Sequence, residues 1–442
     1  MKYFSTIFIA VLYFLVSTSF AQLPWTKDAN NPVMSGGTAG TWNRHVFMPC
    51  VLYNPDSSRY EMWFGASYGP PNWRPYRIGF AVSSDGVNWT KHATAVLEPD
   101  SGEWDESTLQ APVVLRENGE YKMWYTGWSP TDPAGGIGFA TSPNGIEWTK
   151  DTLNNPVLKP GTASWEAGGP LNCTVIPAPG GGYKMWYASF NDQTDSVQIG
   201  WASSQDGIIW QKDSLNNPVM TGGPVGDWDD AFVIPAEVLF IDGSYHMWYT
   251  GMRINTDPRQ IGYATSQDGI FWNKYDDPIT TSSPYSASDP VLSPSQGHWD
   301  GNFIEGGTVM LVEDTLKMWY GGGREPTGTN LWRIGHAVAP YIPVGVDDHK
   351  FFDSPEDFVL SQNYPNPFNP TTTIEFSLPQ SDFVTLKIYN LLGEEVETLV
   401  SEKLSAGKYR YEWNAGIYAS GLYYYSLESG NYHETQKMIL MK

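Results

Sequence analysis

A tripeptide of methionine, tryptophan and a second aromatic residue recurs five times, and this recurrence constrains the fold more than any other feature of the sequence. The five copies begin at Met62, Met123, Met185, Met247 and Met318. Successive copies therefore start 61, 62, 62 and 71 residues apart. A fixed period of this length, in segments rich in strand-forming aromatic residues, is typical of propellers and solenoids. We expect one structural unit to be repeated five times.

The second repeat shows what one unit contains. It opens at Trp104 and predicts four strands, at residues 111–115, 121–126, 137–142 and 148–150. The first and third connections carry Asn118-Gly119 and Asn144-Gly145, the residue pairs that favour two-residue hairpin turns. No long segment has the 3.6-residue apolar period of a helix. The sequence therefore predicts an all-β fold built from four-stranded antiparallel sheets.

The fifth repeat lacks a closing strand, and the N-terminal part of the chain supplies a match for it. Trp25-Thr26-Lys27 is identical to Trp148-Thr149-Lys150, which closes the second repeat. We expect the N-terminal segment to pair as the outer strand of the last unit. This pairing would close a ring and remove an exposed sheet edge. The prediction is a five-bladed β-propeller over residues 22–340.

The first 21 residues have the pattern of a secretory signal peptide. Lys2 precedes an apolar run at residues 7–16, and Ser19-Phe20-Ala21 places small residues where signal peptidase cleaves. The apolar run is too short for an ordinary membrane span. A signal anchor is the alternative interpretation. We therefore expect a secreted protein with no transmembrane segment in its mature chain.

Net charge excludes one class of partner. The formal charge is −22 at pH 7, whereas binding to nucleic acid phosphates requires a basic surface. The same charge disfavours anionic membranes and leaves neutral sugars open. We predict no nucleic-acid partner, no cofactor and a monomeric protein.

Residues that recur at one place in several units are assigned to the scaffold. The turns of the form Ser-x-Asp-Gly-x-x-Trp resemble the Asp-box of sialidases, but Asp-Gly is what a tight hairpin turn requires. An acidic residue follows the opening tryptophan in four units, at Asp105, Glu166, Asp229 and Asp300. A single active site cannot use one group from every unit. Cys50 and Cys173 occupy the same place in units one and three, so we expect two buried free thiols.

The connections between the second and third strands are predicted to be long and unlike one another, and all of them lie on one face of the ring. Variable loops on a rigid scaffold are where binding residues collect. Flat aromatic side chains with arginines suit the stacking and hydrogen bonding that a sugar requires. The predicted substrate-binding residues on this face are Trp73, Arg77, Trp128, Arg253, Arg324, Trp332 and Arg333.

The innermost strand of each unit begins on the same face, and several polar residues there depart from the repeat. Arg44, His45, Gln110 and Asn172 are predicted to bind substrate. Glu106, Asp230, Glu237 and Glu305 are predicted to be catalytic, because carboxylates converging on one funnel provide the acid and base of glycoside cleavage. A structural cation on the axis, or carboxylates paired with arginine, is the alternative use of these groups.

The five units, with their Tyr-Lys-Met-Trp-Tyr and Ile-Gly-x-Ala-x-Ser strands, resemble the arabinanase, levansucrase and invertase superfamily of glycosyl hydrolases. The resemblance implies an axial funnel with three acidic residues, each from a different blade. Glu305-Gly306-Gly307 is similar to a Glu-Gly-Pro phrase that carries the general acid in part of that superfamily. Asn43-Arg44-His45 stands where such enzymes place an aspartate, so no residue takes that role by motif.

The C-terminal part of the chain resembles another family. After a polar linker at residues 341–359, the run from Gln362 to Thr372 precedes alternating β segments, and the chain ends in Lys437-Met438-Ile439-Leu440-Met441-Lys442. This pattern resembles the C-terminal sorting domain of the type IX secretion system. The resemblance implies a small Ig-like β-sandwich over residues 360–442, which addresses the protein to the outer surface through the secretion machinery.

Two functions remain open. The first is a secreted glycoside hydrolase-like protein that acts on a polysaccharide or oligosaccharide through axial carboxylates. The second is a propeller without catalysis that binds glycan or protein at the cell surface. Both predict a protein that is secreted or held at the outer membrane surface.

Overall fold

The computed structural model describes residues 25–69, 74–253, 256–277, 280–323, 331–341, 358–363, 366–379, 382–404, 407–430 and 432–441. The structure of these residues is all-β, with a 3₁₀ helix at Ser164–Glu166. The predicted signal peptide, residues 342–357 of the predicted linker, Trp73 and Arg324 lie outside the described residues. The chain divides into two compact bodies, residues 1–344 and 345–442.

Within the described residues, the strands of the first body form five antiparallel units of four strands. Strand β1 (Thr26–Lys27) comes first along the chain and belongs to the fifth unit. The first unit comprises β2 (His45–Asn54), β3 (Arg59–Ser67), β4 (Arg77–Ser83) and β5 (Thr90–Lys91). The second comprises β6 (Thr108–Glu117), β7 (Glu120–Ser129), β8 (Asp132–Ser142) and β9 (Thr149–Lys150). The third comprises β10 (Pro170–Pro177), β11 (Tyr183–Asn191), β12 (Ser196–Ser204) and β13 (Trp210–Lys212).

The fourth unit comprises β14 (Phe232–Ile241), β15 (Ser244–Arg253), β16 (Thr256–Ser266) and β17 (Asn273–Lys274). Strand β18 (Pro290–Leu292) also pairs with β16. The fifth unit comprises β19 (Phe303–Val312), β20 (Thr315–Gly323), β21 (Arg333–Pro340) and β1. One parallel pair, Val197 with Phe232, joins the third and fourth units into a nine-stranded sheet. The first strands contact one another in the order β2, β6, β10, β14 and β19, and β19 contacts β2, so they form a closed ring.

Strand β1 closes the fifth unit. Thr26 pairs with Val338 and Lys27 pairs with Ala337, both on β21. The expectation that the N-terminal segment supplies the missing outer strand is confirmed. The hydrogen-bonding groups on that edge of β21 are thereby occupied, which removes a site of unwanted strand pairing.

The repeated tryptophans link neighbouring units. Trp63 of the first unit donates its indole N–H to the carbonyl oxygen of Gly145 in the second unit, over 2.7 Å. Trp319 of the fifth unit donates in the same way to Gly86 of the first unit, also over 2.7 Å. The equivalent bonds join Trp124 to Gly207 and Trp186 to Gly269. These glycines belong to the Asp-Gly and Asn-Gly turns, so the scaffold interpretation of the Asp-box-like turns is confirmed.

The repeated acidic residues are also part of the scaffold, as predicted. Asp229 accepts hydrogen bonds from Lys274 of the closing strand, over 2.7 Å, and from the hydroxyl of Tyr249, over 3.1 Å. The same acid, lysine and tyrosine meet in three other units, at Asp105, Lys150 and Tyr125, at Glu166, Lys212 and Tyr187, and at Asp300, Lys27 and Tyr320. The two cysteines are free and buried, as expected.

The predicted long loops of the second, third and fourth units are wrong. Strand β7 ends at Ser129 and β8 begins at Asp132, and β11 ends at Asn191 before β12 begins at Ser196. In the fourth unit, β15 and β16 leave two residues between them. Backbone pairing continues beyond the aromatic segments, through pairs such as Phe190 with Val197. The polar residues assigned to those loops therefore stand on, or next to, extended strands.

The second body contains two sheets. The three-stranded sheet has the order β22 (Val359–Leu360), β23 (Thr371–Leu378) and β26 (Gly407–Asn414). The four-stranded sheet contains β24 (Asp382–Tyr389), β25 (Glu395–Leu404), β27 (Gly421–Ser429) and β28 (Tyr432–Leu440) in the order β25-β24-β27-β28. Ile374, Leu386, Trp413 and Tyr425 belong to its buried core. No helix among the described residues of either body has the length and apolarity to cross a membrane.

Candidate functional site

All five innermost strands change register at the same point. The shift lies between Gln110 and Val113 on β6 and between Glu305 and Thr308 on β19, with equivalent shifts on β2, β10 and β14. Such bulges redirect side chains and often lie beside functional sites. Here the bulged segments surround a narrow channel on the axis, about 40 Å³ in volume.

Glu237 and Asn172 line this axial channel, together with Cys50 and Cys173. The Glu237 carboxylate accepts hydrogen bonds from the Thr174 hydroxyl and the Val238 N–H, each over 3.2 Å. Burial raises the pKa of Glu237 to about 8. Asn172 donates to the sulfur of Met48 over 3.8 Å. A channel of this volume has room for a few water molecules and not for a sugar ring.

Glu305 lies at the start of the bulge on β19, on the face where the inner strands begin. Its side chain is 4% exposed, and Arg259 donates to its Oε2 over 3.2 Å. Among the described residues, Oε1 has no hydrogen-bond partner. Burial raises the pKa of Glu305 to about 7, against the opposing effect of Arg259. A Cβ atom at Gly321 would lie 3.0 Å from Oε1, so the glycine provides the space that the carboxyl occupies.

Aromatic side chains surround the Glu305–Arg259 pair. The Arg259 guanidinium lies 5.3 Å from the ring centre of Phe303 and 5.8 Å from that of Trp332. Phe47 contacts Trp332, with ring centres 5.2 Å apart. It also contacts Tyr76, with ring centres 5.5 Å apart. These residues come from the first, fourth and fifth units.

His45 joins the same group of side chains. Its Nδ1 accepts a hydrogen bond from the backbone N–H of Trp332, over 3.3 Å. Burial, with a smaller effect from Arg44, lowers the pKa of His45 to about 4, so the imidazole is neutral at pH 7. The structure thus brings together His45, Trp332 and Glu305, three residues that the sequence selected separately.

A cavity of about 670 Å³ opens between the second and third units. Gln110 and Trp128 line it, as do Arg74 and Tyr76 of the first unit and Asp192 of the third. The Arg74 guanidinium stacks on Trp128, 3.9 Å from the ring centre. Tyr76 lines the cavity and contacts Phe47, which leads through Trp332 to the Glu305–Arg259 pair. Burial raises the pKa of Tyr76, the charge of Arg74 lowers it, and the charge of Glu305 has a smaller raising effect.

One position that lines the cavity has no side chain in the second unit. The residue two places before the repeated Ile-Gly pair is Tyr76, Val197, Arg259 and Trp332 in the other four units. In the second unit it is Gly135, whose backbone has a φ of +59° and whose Cβ atom would lie 2.7 Å from the carbonyl oxygen of Gly127. The residue at this position differs in every unit, whereas the residue two places later is Ile in all five. That contrast is the sequence signal that could have identified Tyr76 and Arg259.

Glu106 and Asp230 stabilise the turns that open their own units. Glu106 accepts hydrogen bonds from the Gly102 N–H, over 2.9 Å, and from the Ser129 hydroxyl, over 3.0 Å. Asp230 accepts from the Gly226 N–H over 2.8 Å, while its Oδ1 is buried without a hydrogen-bond partner among the described residues. Neither carboxylate lines the cavity or the axial channel.

The remaining predicted arginines lie apart from the cavity lining. Arg77 pairs with Glu98 and lies 5.0 Å from the ring centre of Tyr68. Arg44, Arg253 and Arg333 are half-buried at or next to the ends of strands β2, β15 and β21. Within the part of the chain that the structure describes, no group of three His, Cys, Asp or Glu side chains has the arrangement of a metal site.

Comparison with a protein-family model identifies the C-terminal part of the chain. Residues 362–441 match the model described as secretion system C-terminal sorting domain. Such a domain directs a protein to the outside of the cell through the type IX secretion system. The protein is therefore secreted or attached at the cell surface.

The chain is also similar to a curated protein and to solved structures. An uncharacterized protein of Mycobacterium tuberculosis is 25% identical over 249 residues, which are 54% of this chain and 76% of that protein. The β-1,2-mannobiose phosphorylase of Listeria innocua has a TM-score of 0.56 at 12% identity, covering 72% of this chain and 96% of its own. A structure titled for GH130 glycoside hydrolases that target β-1,2 mannosidic linkages in Candida mannan has a TM-score of 0.55 at 17% identity, covering 74% and 98%. The chain thus has a glycoside hydrolase-like fold.

Proposed function

We propose that residues 22–340 form a five-bladed β-propeller of the glycoside hydrolase type that acts on a polysaccharide or oligosaccharide outside the cell. Residues 360–442 form an Ig-like β-sandwich that the type IX secretion machinery recognises. The closed ring of inner strands and the similarity to glycoside hydrolases and phosphorylases support the first assignment. The match to the sorting-domain model supports the second.

The state of Glu305 is the observation that carries the proposal. A glycosidase requires an acid that is still protonated at working pH and can donate to the leaving oxygen. Glu305 has a pKa of about 7 because it is buried, and its Oε1 has no partner among the described residues. Arg259 holds Oε2, which orients the carboxyl group. We assign Glu305 the role of proton donor.

The base is sought between the two other carboxylates predicted on the same face, Glu106 and Asp230, neither of which lines the cavity. Asp230 suits this role better than Glu106, because Asp230 keeps one oxygen without a hydrogen-bond partner among the described residues. Both oxygens of Glu106 accept hydrogen bonds within its own unit. Glu237 faces a channel too small for a sugar, and we assign it no catalytic step. The separation of acid and base would decide between inversion and retention.

The cavity beside Tyr76 is the proposed binding site for the glycan. Its volume lies within the range of small-ligand pockets. Gln110 can donate to and accept from sugar hydroxyl groups, and Trp128 and Tyr76 add flat apolar surface. The Glu305–Arg259 pair does not line this cavity, and the contacts of Trp332 with Phe47 and of Phe47 with Tyr76 link the two.

Release of reducing ends from a panel of arabinans, xylans, fructans and mannans tests the proposal. The variant Glu305→Gln keeps the size of the side chain and removes the proton that is donated. We expect a loss of about 10²- to 10⁴-fold in turnover, the usual contribution of a general acid. Glu61→Gln is the control, because Glu61 is also buried but accepts hydrogen bonds from Asn54, Arg59 and Tyr121 at the face with the short turns. No release by the unmodified protein, or equal rates in Glu305→Gln, would reject hydrolysis.

The second candidate function is glycan binding without turnover. The engagement of both Glu106 oxygens in its own unit favours it, since one predicted catalytic carboxylate is then used for structure. Binding of a glycan by the unmodified protein and by Glu305→Gln with equal affinity, and without release of reducing ends, would establish this function in place of hydrolysis.

A further inference from the structure

Lysines and arginines are used differently in the first body. Lys27, Lys150, Lys212 and Lys274 each pair with the buried acid of a unit. On the face with the cavity, Arg44, Arg74, Arg253 and Arg333 form no ion pair with any residue that the structure describes. In a chain with a net charge of −22, a cation without an ionic partner next to a cavity requires an explanation.

Arg74 is the arginine of this group that lines the cavity. Its guanidinium lies 3.9 Å from the ring centre of Trp128, and its side chain is exposed. Stacking on an aromatic face uses the flat surface of a guanidinium and leaves its N–H groups, which lie in its plane, free to donate. Trp128 thus holds in place a planar fork of donors, the geometry that binds a carboxylate through two hydrogen bonds.

The rest of the cavity is suited to the uncharged part of a sugar. Gln110, Thr108 and Thr126 supply hydrogen-bonding groups, and Gly135 lines the cavity without a side chain. Asp192 of the third unit is exposed and lines the same cavity. Its carboxylate can accept hydrogen bonds from sugar hydroxyl groups, but it repels an anion. One cationic contact and one anionic contact in a single cavity favour a ligand that is bound in one orientation.

We propose that this cavity binds an acidic sugar residue, with the anionic substituent on Arg74 and the hydroxyl groups on Gln110 and Asp192. This inference rests on the proposed glycan-directed function and specifies its substrate class. The anionic substituent is a carboxylate of a uronic acid or a sulfate ester, since both present paired oxygens to a guanidinium. The protein as a whole repels polyanions, so recognition depends on the local charge of Arg74.

Affinity measurements on the full secreted chain test the inference. The probes are polygalacturonate, alginate and hyaluronan for carboxylates, dextran sulfate for sulfate esters, and methyl-esterified polygalacturonate and dextran as neutral counterparts. We expect at least one acidic polymer to bind about tenfold more tightly than its neutral counterpart. Arg74→Gln should abolish that preference.

Arg116→Gln is the matched control, because it removes the same charge from an arginine that pairs with Asp56 at the face with the short turns. It should keep the preference for the acidic polymer. A preference for uronate polymers identifies a carboxylate ligand, and a preference for dextran sulfate identifies a sulfate ester.

Equal binding of acidic and neutral polymers, or a preference that persists in Arg74→Gln, would overturn this inference and leave the proposed function intact. Absence of binding and of cleavage with every polymer, neutral ones included, would instead reject the proposed function itself.

Discussion

Buried carboxylates have different hydrogen-bond partners at the outer strands and at the inner strands of the first body. At the outer strands, Asp229 receives a lysine amine over 2.7 Å and a tyrosine hydroxyl over 3.1 Å, and three other units repeat this arrangement. At the inner strands, Glu305 receives one guanidinium contact over 3.2 Å, and Glu237 receives a hydroxyl and backbone N–H groups.

The difference distinguishes carboxylates that stabilise the fold from carboxylates that are candidates for catalysis. A carboxylate that is paired with a lysine in four of the five units holds the outer strand to the sheet. Two carboxylates that occur once have a raised pKa because of burial, about 7 for Glu305 in spite of the Arg259 guanidinium 3.2 Å away, and about 8 for Glu237. Raised pKa values of this kind are typical of functional sites, and of the two carboxylates Glu237 lines the narrow axial channel.

The largest expected effect comes from breaking an outer pair. Lys274→Met would leave the Asp229 carboxylate buried, with the Tyr249 hydroxyl as its remaining side-chain partner among the described residues. Removing one member of a buried ion pair typically costs about 3–5 kcal/mol. We expect a decrease of that size in the free energy of unfolding. Urea denaturation followed by tryptophan fluorescence measures it in the first body, because Trp413 alone of the 20 tryptophans lies in the second.

Lys91→Met is the matched control for this experiment. Lys91 occupies the same place in the first unit, where Asn43 replaces the acid, and it donates to the carbonyl oxygen of Ser35. We expect a cost below about 1 kcal/mol. Equal costs for the two variants would show that the lysines contribute through packing and not through charge.

The second prediction concerns the pH dependence that Glu305 confers on stability. Its pKa is about 7 in the folded protein and near 4.5 in the unfolded chain, so the folded state holds the proton more tightly. The contribution of this group to stability is fully present below pH 4.5 and is lost as the pH rises through 7. The difference amounts to about 3 kcal/mol.

Glu305→Gln should remove this component and leave the rest of the pH dependence unchanged. The free energy of unfolding of the variant, relative to the unmodified protein, should therefore increase between pH 4.5 and pH 8. A constant difference across this range would show that Glu305 has an ordinary pKa and would weaken its assignment as the proton donor.

Most of the first body could be predicted from the sequence, because each unit repeats the same turn residues and the same strand pattern. The Asn118-Gly119 turn fixes the register of β6 and β7, and the match between Trp25-Thr26-Lys27 and Trp148-Thr149-Lys150 predicts the pairing of β1 with β21. The second connections were harder to predict. Whether backbone pairing continues past an aromatic segment depends on the facing strand, which the repeat pattern does not specify.

The candidate site was predicted only in part. His45, Trp332 and Glu305 depart from the repeat and do lie together, whereas the role of Glu106 and Asp230 in their own turns was missed. Both acids stand four residues after a glycine with positive φ, Gly102 or Gly226, and this spacing could have indicated the capping hydrogen bond. The stacking of Arg74 on Trp128 joins two units and leaves no local pattern, so the sequence could not show it.

The smallest expected effect comes from introducing the acid and the tyrosine of the other four units into the first unit. Asn43 and Phe64 stand there in place of the acid and the tyrosine, while Lys91 still makes the backbone contact that Lys274 makes to Thr221. The ring of Phe64 lies against Gly79 as that of Tyr125 lies against Gly138, so a tyrosine hydroxyl fits. The double variant Asn43→Asp, Phe64→Tyr should therefore gain about 1 kcal/mol in the free energy of unfolding.

The same two substitutions in a Lys91→Met background separate charge pairing from packing. Without the lysine, the introduced carboxylate is buried with a tyrosine hydroxyl and no cation, and the gain should become a loss. A thermodynamic cycle over the four proteins gives the coupling between the new carboxylate at position 43 and the amine of Lys91 directly. Coupling near zero would mean that the outer acids, although repeated four times, contribute little to holding the closing strand, and the contrast between outer and inner carboxylates would then rest on the inner ones alone.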